Sequence, residues 1–77
     1  MSARKNVLEN FEEVGVSLLK RQRLHLSYYS KGKDESTERD VSPQRLIFYR
    51  DNWYLDAYCH LRKGLRSFAM DGIQSAR

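Results

Sequence analysis

The chain has 77 residues, 40% hydrophobic and 31% charged, with 14 Lys and Arg against 10 Asp and Glu, a net charge of +4 and a pI near 9.5. A chain this short buries only about 60% of the surface its unfolded form exposes, which leaves room for a single domain over residues 1–77 and excludes two. No apolar run approaches the ~20 residues of a membrane span, Arg4, Lys5 and Glu9 stand where a signal peptide is apolar, and five Tyr, three Phe and Trp53 are more aromatic bulk than disordered chains carry.

A cytoplasmic protein is therefore expected. Cys59 has no partner in the chain, which removes an internal disulfide and fits a reducing compartment. Nine of the cations are arginines, whose planar guanidinium suits bidentate phosphate contact and base stacking. The charge leans toward nucleic acid.

Val7/Leu8, Phe11, Val14 and Leu18/Leu19 recur at steps of three and four, predicting an amphipathic helix over about residues 6–21. Asn6 with Glu9, and Asn10 with Glu13, have capping-box spacing, and Lys20, Arg21 and Arg23 suit the negative end of the helix dipole. Gly15 costs about 1 kcal/mol relative to alanine, so either the backbone packs closely there or the helix is locally weak. After Arg23 the period becomes two. Leu24, Leu26 and Tyr28 predict a strand with one buried face. A polar loop follows around Gly32, then a short strand from Thr37 to Val41. Pro43 keeps its surroundings extended, and a third strand runs from Arg45 to Arg50. Asp51 and Asn52 tolerate the positive φ of a tight hairpin link. In the fourth strand Trp53, Leu55, Ala57 and Cys59 share a face expected to be core, while Tyr54, Asp56, Tyr58 and His60 share the other. A turn at Arg62–Gly64 leads to a fifth strand, Leu65 to Met70, after which the signal fades into a tail over 72–77.

The expected class is mainly β: one N-terminal helix, then five short strands forming a strongly bent sheet or partly closed barrel over about residues 23–71.

The ordered residues Pro43-x-x-Leu46, Trp53-Tyr54-Leu55, Ala57-Tyr58-Cys59-His60 and Arg66-Ser67-Phe68-Ala69-Met70-Asp71-x-Ile73 resemble the WYL domain family, named for its Trp-Tyr-Leu triplet. Leu24-x-Leu26-x-Tyr28 resembles the family's first strand and Thr37-Glu38-Arg39 its second, so the likeness covers roughly residues 10–75. It implies a five-stranded Sm-like barrel that serves as the sensory domain of bacterial transcription regulators. Such regulators carry a winged helix-turn-helix. About twenty residues precede the first strand, too few for that reader, so the module is expected to act as a fragment of a regulator or through a partner.

The resemblance also implies a ligand of nucleic-acid type, single-stranded DNA or a nucleotide, held by a basic and aromatic patch. The matching positions are Tyr28, Arg39, Tyr54, His60 and Arg66. Arginines grip phosphate, tyrosines stack bases at about 1–3 kcal/mol each, and histidine donates to phosphate near neutral pH. Structural roles stand beside these. Tyr28 shares parity with core leucines, Arg39 and Arg66 have Asp40, Asp56 and Asp71 as surface partners, and Tyr54 and Tyr58 could pack on the barrel exterior. Where the family normally has arginine after the aspartate, this chain has Gly72, so one cation is missing from the expected patch.

Catalysis is not expected. His25, His60 and Cys59 lack the paired spacing of zinc ligands, no Gly-rich phosphate loop or nucleophile motif is present, and neighbours Cys59 and His60 point to opposite faces of a strand. No cofactor or metal is implied. The leading expectation is a non-catalytic sensory module that passes its output to a DNA-binding partner or a second copy of the chain. The alternative is a protein-interaction module, such as a dimerisation domain, that binds no nucleic acid. A third reading is an Sm-like RNA binder.

Overall fold

A computed structural model describes residues 7–77; Arg4, Lys5 and the expected cap Asn6 lie outside them. Helix α1 spans Val7–Lys20, followed by β1 (Leu24–Ser30), β2 (Glu35–Tyr49), β3 (Asn52–Cys59), β4 (Gly64–Ala69), a 3-10 turn (Met70–Gly72) and β5 (Ile73–Ala76). The helix ends in a Schellman-type cap. Arg21 adopts φ 54, and Gln22 N–H donates to Ser17 O at 2.9 Å, satisfying a carbonyl the last turn leaves free.

All strand pairs are antiparallel, in the order β4-β3-β2-β1-β5. Strand β2 is the spine: Glu35–Val41 pairs with β1, and Val41–Tyr49 with β3. Two strands expected on either side of Pro43 are thus one. Proline is tolerated because the ladder with β1 ends at Val41, so β2 has a strand partner on one side only at Pro43, and a bulge between Pro43 and Arg45 absorbs the irregularity. The hairpin link also falls one residue earlier than expected, with Arg50 (φ 51) and Asp51 (φ 63) as the two positive-φ residues of a type I′ turn. At the first hairpin the left-handed residue is Asp34 (φ 50), not Gly32. The expected tail carries the last strand: Leu26 and Tyr28 of β1 pair with Ala76 and Ile73. Strands β4 and β5 stand at opposite edges with no ladder between them, so the sheet is not closed. A bond does cross that opening, from Ala69 N–H to Tyr28 Oη at 3.2 Å.

One core lies between the helix and the concave side of the sheet, built from Val14, Leu24, Leu26, Val41, Leu55, Ala57, Cys59, Phe68, Met70, Ile73 and Ala76. The alternation of β1 and β3 puts Leu24 and Leu26, then Leu55, Ala57 and Cys59, into it. Trp53 is the exception and is 40% exposed. It opposes Phe48 near the hairpin end, past the core, where Phe11 covers its edge at 5.4 Å between ring centroids. The helix docks through only part of the expected stripe, Val14 and the half-buried Phe11, with polar residues beside them. Asn10, Val14 and Ser17 are buried, while Val7, Leu8 and Leu19 are exposed. Small and polar side chains let α1 come close enough for Asn10 Nδ2–H to donate to Ile73 O at 3.0 Å. No atom lies within 4 Å of a Cβ placed on Gly15, so the helix is simply weaker there. Gly72 is the opposite case. A Cβ would meet the Tyr28 ring and Tyr29 O, each at 2.9 Å, so the arginine usual in the family does not fit this backbone without movement of β1 or the turn.

Candidate functional site

The register divides the five sequence-predicted residues between two faces. Residues opposite one another in an antiparallel pair point to the same side. Arg39 opposes buried Leu26, Arg66 opposes buried Ala57, and Tyr28 shares parity with Leu24 and Leu26, so these three lie on the concave side. Tyr54 and His60 alternate with the buried residues of β3 and lie on the outer side.

On the concave side the shared element is Phe68. Its ring meets Tyr28 edge-on at 5.0 Å and 80°, and the Arg39 guanidinium lies 5.7 Å above its centroid. Arg39 is half-buried, with Nε donating to Thr37 Oγ1 at 3.0 Å and a guanidinium nitrogen 3.8 Å from Cys59 Sγ. Arg66 is exposed two residues before Phe68 on the same face. Two of the three acidic partners considered from sequence are engaged elsewhere: Asp56 accepts from Arg45 Nε at 3.1 Å and Asp40 from His25. Among the described residues no carboxylate bridges Arg39 or Arg66. The Tyr28 hydroxyl is used as an acceptor by Ala69 N–H, which gives Tyr28 a structural task as well. Burial pushes the Cys59 thiol up, but backbone N–H groups of Arg62 and Leu61 and the Arg39 guanidinium outweigh it and hold the thiol below its ordinary value.

On the outer side His60 Nε2 is 2.8 Å from Ser42 Oγ and its ring meets Tyr58 edge-on at 5.0 Å. Tyr54, near the other end of β3, stays apart from it.

A second cluster escaped the sequence reading. His25 Nδ1 lies 2.7 Å from Asp40 Oδ1, and Nε2 lies 2.6 Å from Glu38 Oε1, on the outer face of β1 and β2. The signal was the turn: a hairpin closing at Ser30 and Glu35 puts His25 directly across from Asp40. Hydrogen bonds to Asp40 and then Glu38 hold the imidazole above its ordinary 6.5, and the same bonds hold both carboxyls below theirs. Arg23 and His60 also face Asp40, and Ser27 and Arg77 face Glu38. The signs fix a window. His25 contributes fully below about 6.5 and its contribution fades as pH rises through the raised folded value; the carboxylates contribute above about 4.5 and fade as pH falls. The difference in melting temperature between the native protein and His25→Gln should therefore be largest between about pH 4.5 and 6.5 and shrink on both sides. A difference independent of pH would show the cluster to be unformed in solution.

Among the described residues no group of three or more His, Cys, Asp and Glu could hold a metal ion, and no helix is long and apolar enough to cross a membrane.

The profile of the WYL domain family matches residues 9–77. The chain is 33% identical over 54 residues to the DNA-binding transcriptional repressor CapW of Pseudomonas aeruginosa, covering 70% of this chain and 18% of that protein. It is 39% identical over 57 residues to protein PafC of Mycobacterium leprae (strain TN), covering 74% of this chain and 18% of that one. The solved structure of proteasome accessory factor B/C (PafBC) of Arthrobacter aurescens superposes with a TM-score of 0.86 at 34% identity, over 99% of this chain and 12% of the other. The chain thus spans less than a fifth of the curated relatives it matches. With all five strands and all but the first two residues of the helix inside the matched span, the chain belongs to the WYL domain family.

Proposed function

We propose that this chain is the non-catalytic sensory module of a transcription regulator and binds a phosphate-bearing ligand, single-stranded nucleic acid or a nucleotide. The similarity to a DNA-binding transcriptional repressor supports the regulatory part. The observation that carries the ligand part is Arg39: a half-buried guanidinium on an aromatic floor, bridged by no described carboxylate, with Arg66 on the same face. In this reading the two arginines neutralise phosphate, and the edge of Tyr28, held by the bond from Ala69 N–H, and the Phe68 ring border the ligand. Tyr54 and His60, on the outer face, serve a second contact along an extended strand of nucleic acid. The output passes to a DNA-binding partner or a second copy of the chain in the cytoplasm.

The test is fluorescence anisotropy of a labelled single-stranded DNA with native, Arg39→Ala and Arg66→Ala proteins at about 50 and 200 mM salt. Native binding should fall with salt at a log–log slope near −0.7 per neutralised phosphate, and each variant should weaken it and flatten the slope by about one phosphate. Absence of binding at the lower salt would sink nucleic-acid sensing by this module; a parallel titration with a nucleotide triphosphate covers the smaller ligand.

One observation favours the alternative of a protein-interaction module. Phe48 (55% exposed), Trp53 and the start of α1 at Val7 and Leu8 leave apolar surface in solvent. Binding through that surface would barely respond to salt.

A further inference from the structure

Strand β4 has a partner on one side only. Ala69 N–H donates to Tyr28 Oη and not to β3, and bonding alternates along an antiparallel strand. Leu65 and Ser67 therefore aim their N–H and C=O groups away from β3 as Ala69 does, whereas Arg66 and Phe68 bond to it. At Ala69 the outward donor is capped by Tyr28. At Leu65 and Ser67, both exposed, no described group accepts or donates to the backbone. A free edge of this kind is a template for another strand, and proteins usually cover or block it.

The side chains around this edge are selective. From His60 through Ala69 there is no acidic residue, while Arg62, Lys63 and Arg66 are cations. Arg66 projects on the concave side. A groove of about 510 Å³ runs along the same edge, lined by Gln44, Arg45, Leu65, Arg66, Ser67 and Asp56, whose carboxylate is taken by Arg45. Leu65 lies there 72% exposed. We infer that the β4 edge docks an extended acidic segment of a partner protein, which adds to the sheet beside Gly64–Phe68 with carboxylates facing Arg66 and apolar side chains facing Leu65. Cross-strand neighbours sit about 4.5–5.5 Å apart at Cβ, within reach of an arginine–carboxylate pair. A second copy of the chain fits the edge less well, because pairing β4 with β4 would bring Arg62, Lys63 and Arg66 against their own copies. This site is separate from the ligand reading above and does not depend on it, though Arg66 borders both.

The experiment titrates the full chain into a fluorescein-labelled peptide of alternating glutamate and valine, followed by anisotropy. Three comparisons accompany it: the peptide N-methylated at alternate amides, the peptide with lysine for glutamate, and the Ser67→Pro protein. Proline at Ser67 removes an outward donor and leaves the ladder to β3 intact, a placement edge strands tolerate. Native protein should bind the acidic peptide, and each comparison should weaken binding at least about tenfold. The N-methylated peptide decides the matter even if Ser67→Pro fails to fold. Arg39→Ala should bind the peptide as the native protein does, which separates this result from failure of the ligand reading. Equal binding of the N-methylated or lysine peptide, no binding at about 1 mM, or self-association of the chain through β4 in place of peptide binding would each overturn the proposal.

Discussion

Asn10→Asp is expected to destabilise the protein by about 3–4 kcal/mol at pH 7 and by much less at pH 4. Asn10 is 1% exposed and its Nδ2–H donates to Ile73 O at 3.0 Å, tying α1 to β5, while its Oδ1 has no partner in the described structure. Aspartate removes the donor, leaves the Ile73 carbonyl unpaired and sets a carboxylate against it in an apolar site. Burying that charge raises the acid's folded pKa above its unfolded value of about 3.9. Between the two values the native state holds more protons than the unfolded one, so stability falls as pH rises and returns as pH falls, when the neutral acid can donate to Ile73 O. Urea unfolding at pH 7 and pH 4 reads both numbers. A pH-independent loss below about 1 kcal/mol would mean that the helix–strand junction is hydrated in solution and that Asn10 is not its clasp.

Phe68→Ala should cost about 3–5 kcal/mol, enough to unfold much of a chain with a core this thin. Phe68 is 2% exposed and holds three elements together: β4 that bears it, Tyr28 on β1 by an edge contact, and Arg39 on β2 through its ring face. Phe68→Leu keeps most of the volume and serves as the informative variant. It should fold, with a loss nearer 1–1.5 kcal/mol, while removing the aromatic face under Arg39. A double-mutant cycle between Phe68→Leu and Arg39→Ala should then show a coupling of about 0.5–1 kcal/mol. Additive losses would show that Arg39 does not rest on the ring, which would also remove the support for its role in ligand binding.

These two residues mark opposite ends of what could be read in advance. Phe68 was legible as part of the Arg-x-Phe-x-x-Asp run and as an apolar residue in a strand. Asn10 was legible only as a helix-capping candidate, because a polar residue in a helical stripe gives no sign that a carbonyl of Ile73 waits for it. The same holds for the helix face: the stripe from Val7 to Leu19 identifies an amphipathic helix, yet the side that docks is centred on Asn10, Val14 and Ser17, where short side chains permit close approach to β5. The last strand was missed because four residues, Ile73–Ala76, are too few to show a period, and their strand state comes from pairing with β1.

The amino-acid sequence by itself determined the helix, the buried alternation of Leu24 and Leu26 and of Leu55, Ala57 and Cys59, and the family, because each is a local pattern of residue types along the chain. Tertiary structure alone decided which strands neighbour one another, that β2 passes Pro43 unbroken, and that Arg39 and Arg66 face inward while Tyr54 and His60 face out. The physical reason is that a period of two assigns residues to one side or the other of their own strand, whereas the side that is shared between strands depends on register. Register is set by where turns fall and bulges insert, at Asp34, at Arg50–Asp51 and after Pro43, and a single-residue difference there reverses every side chain beyond it.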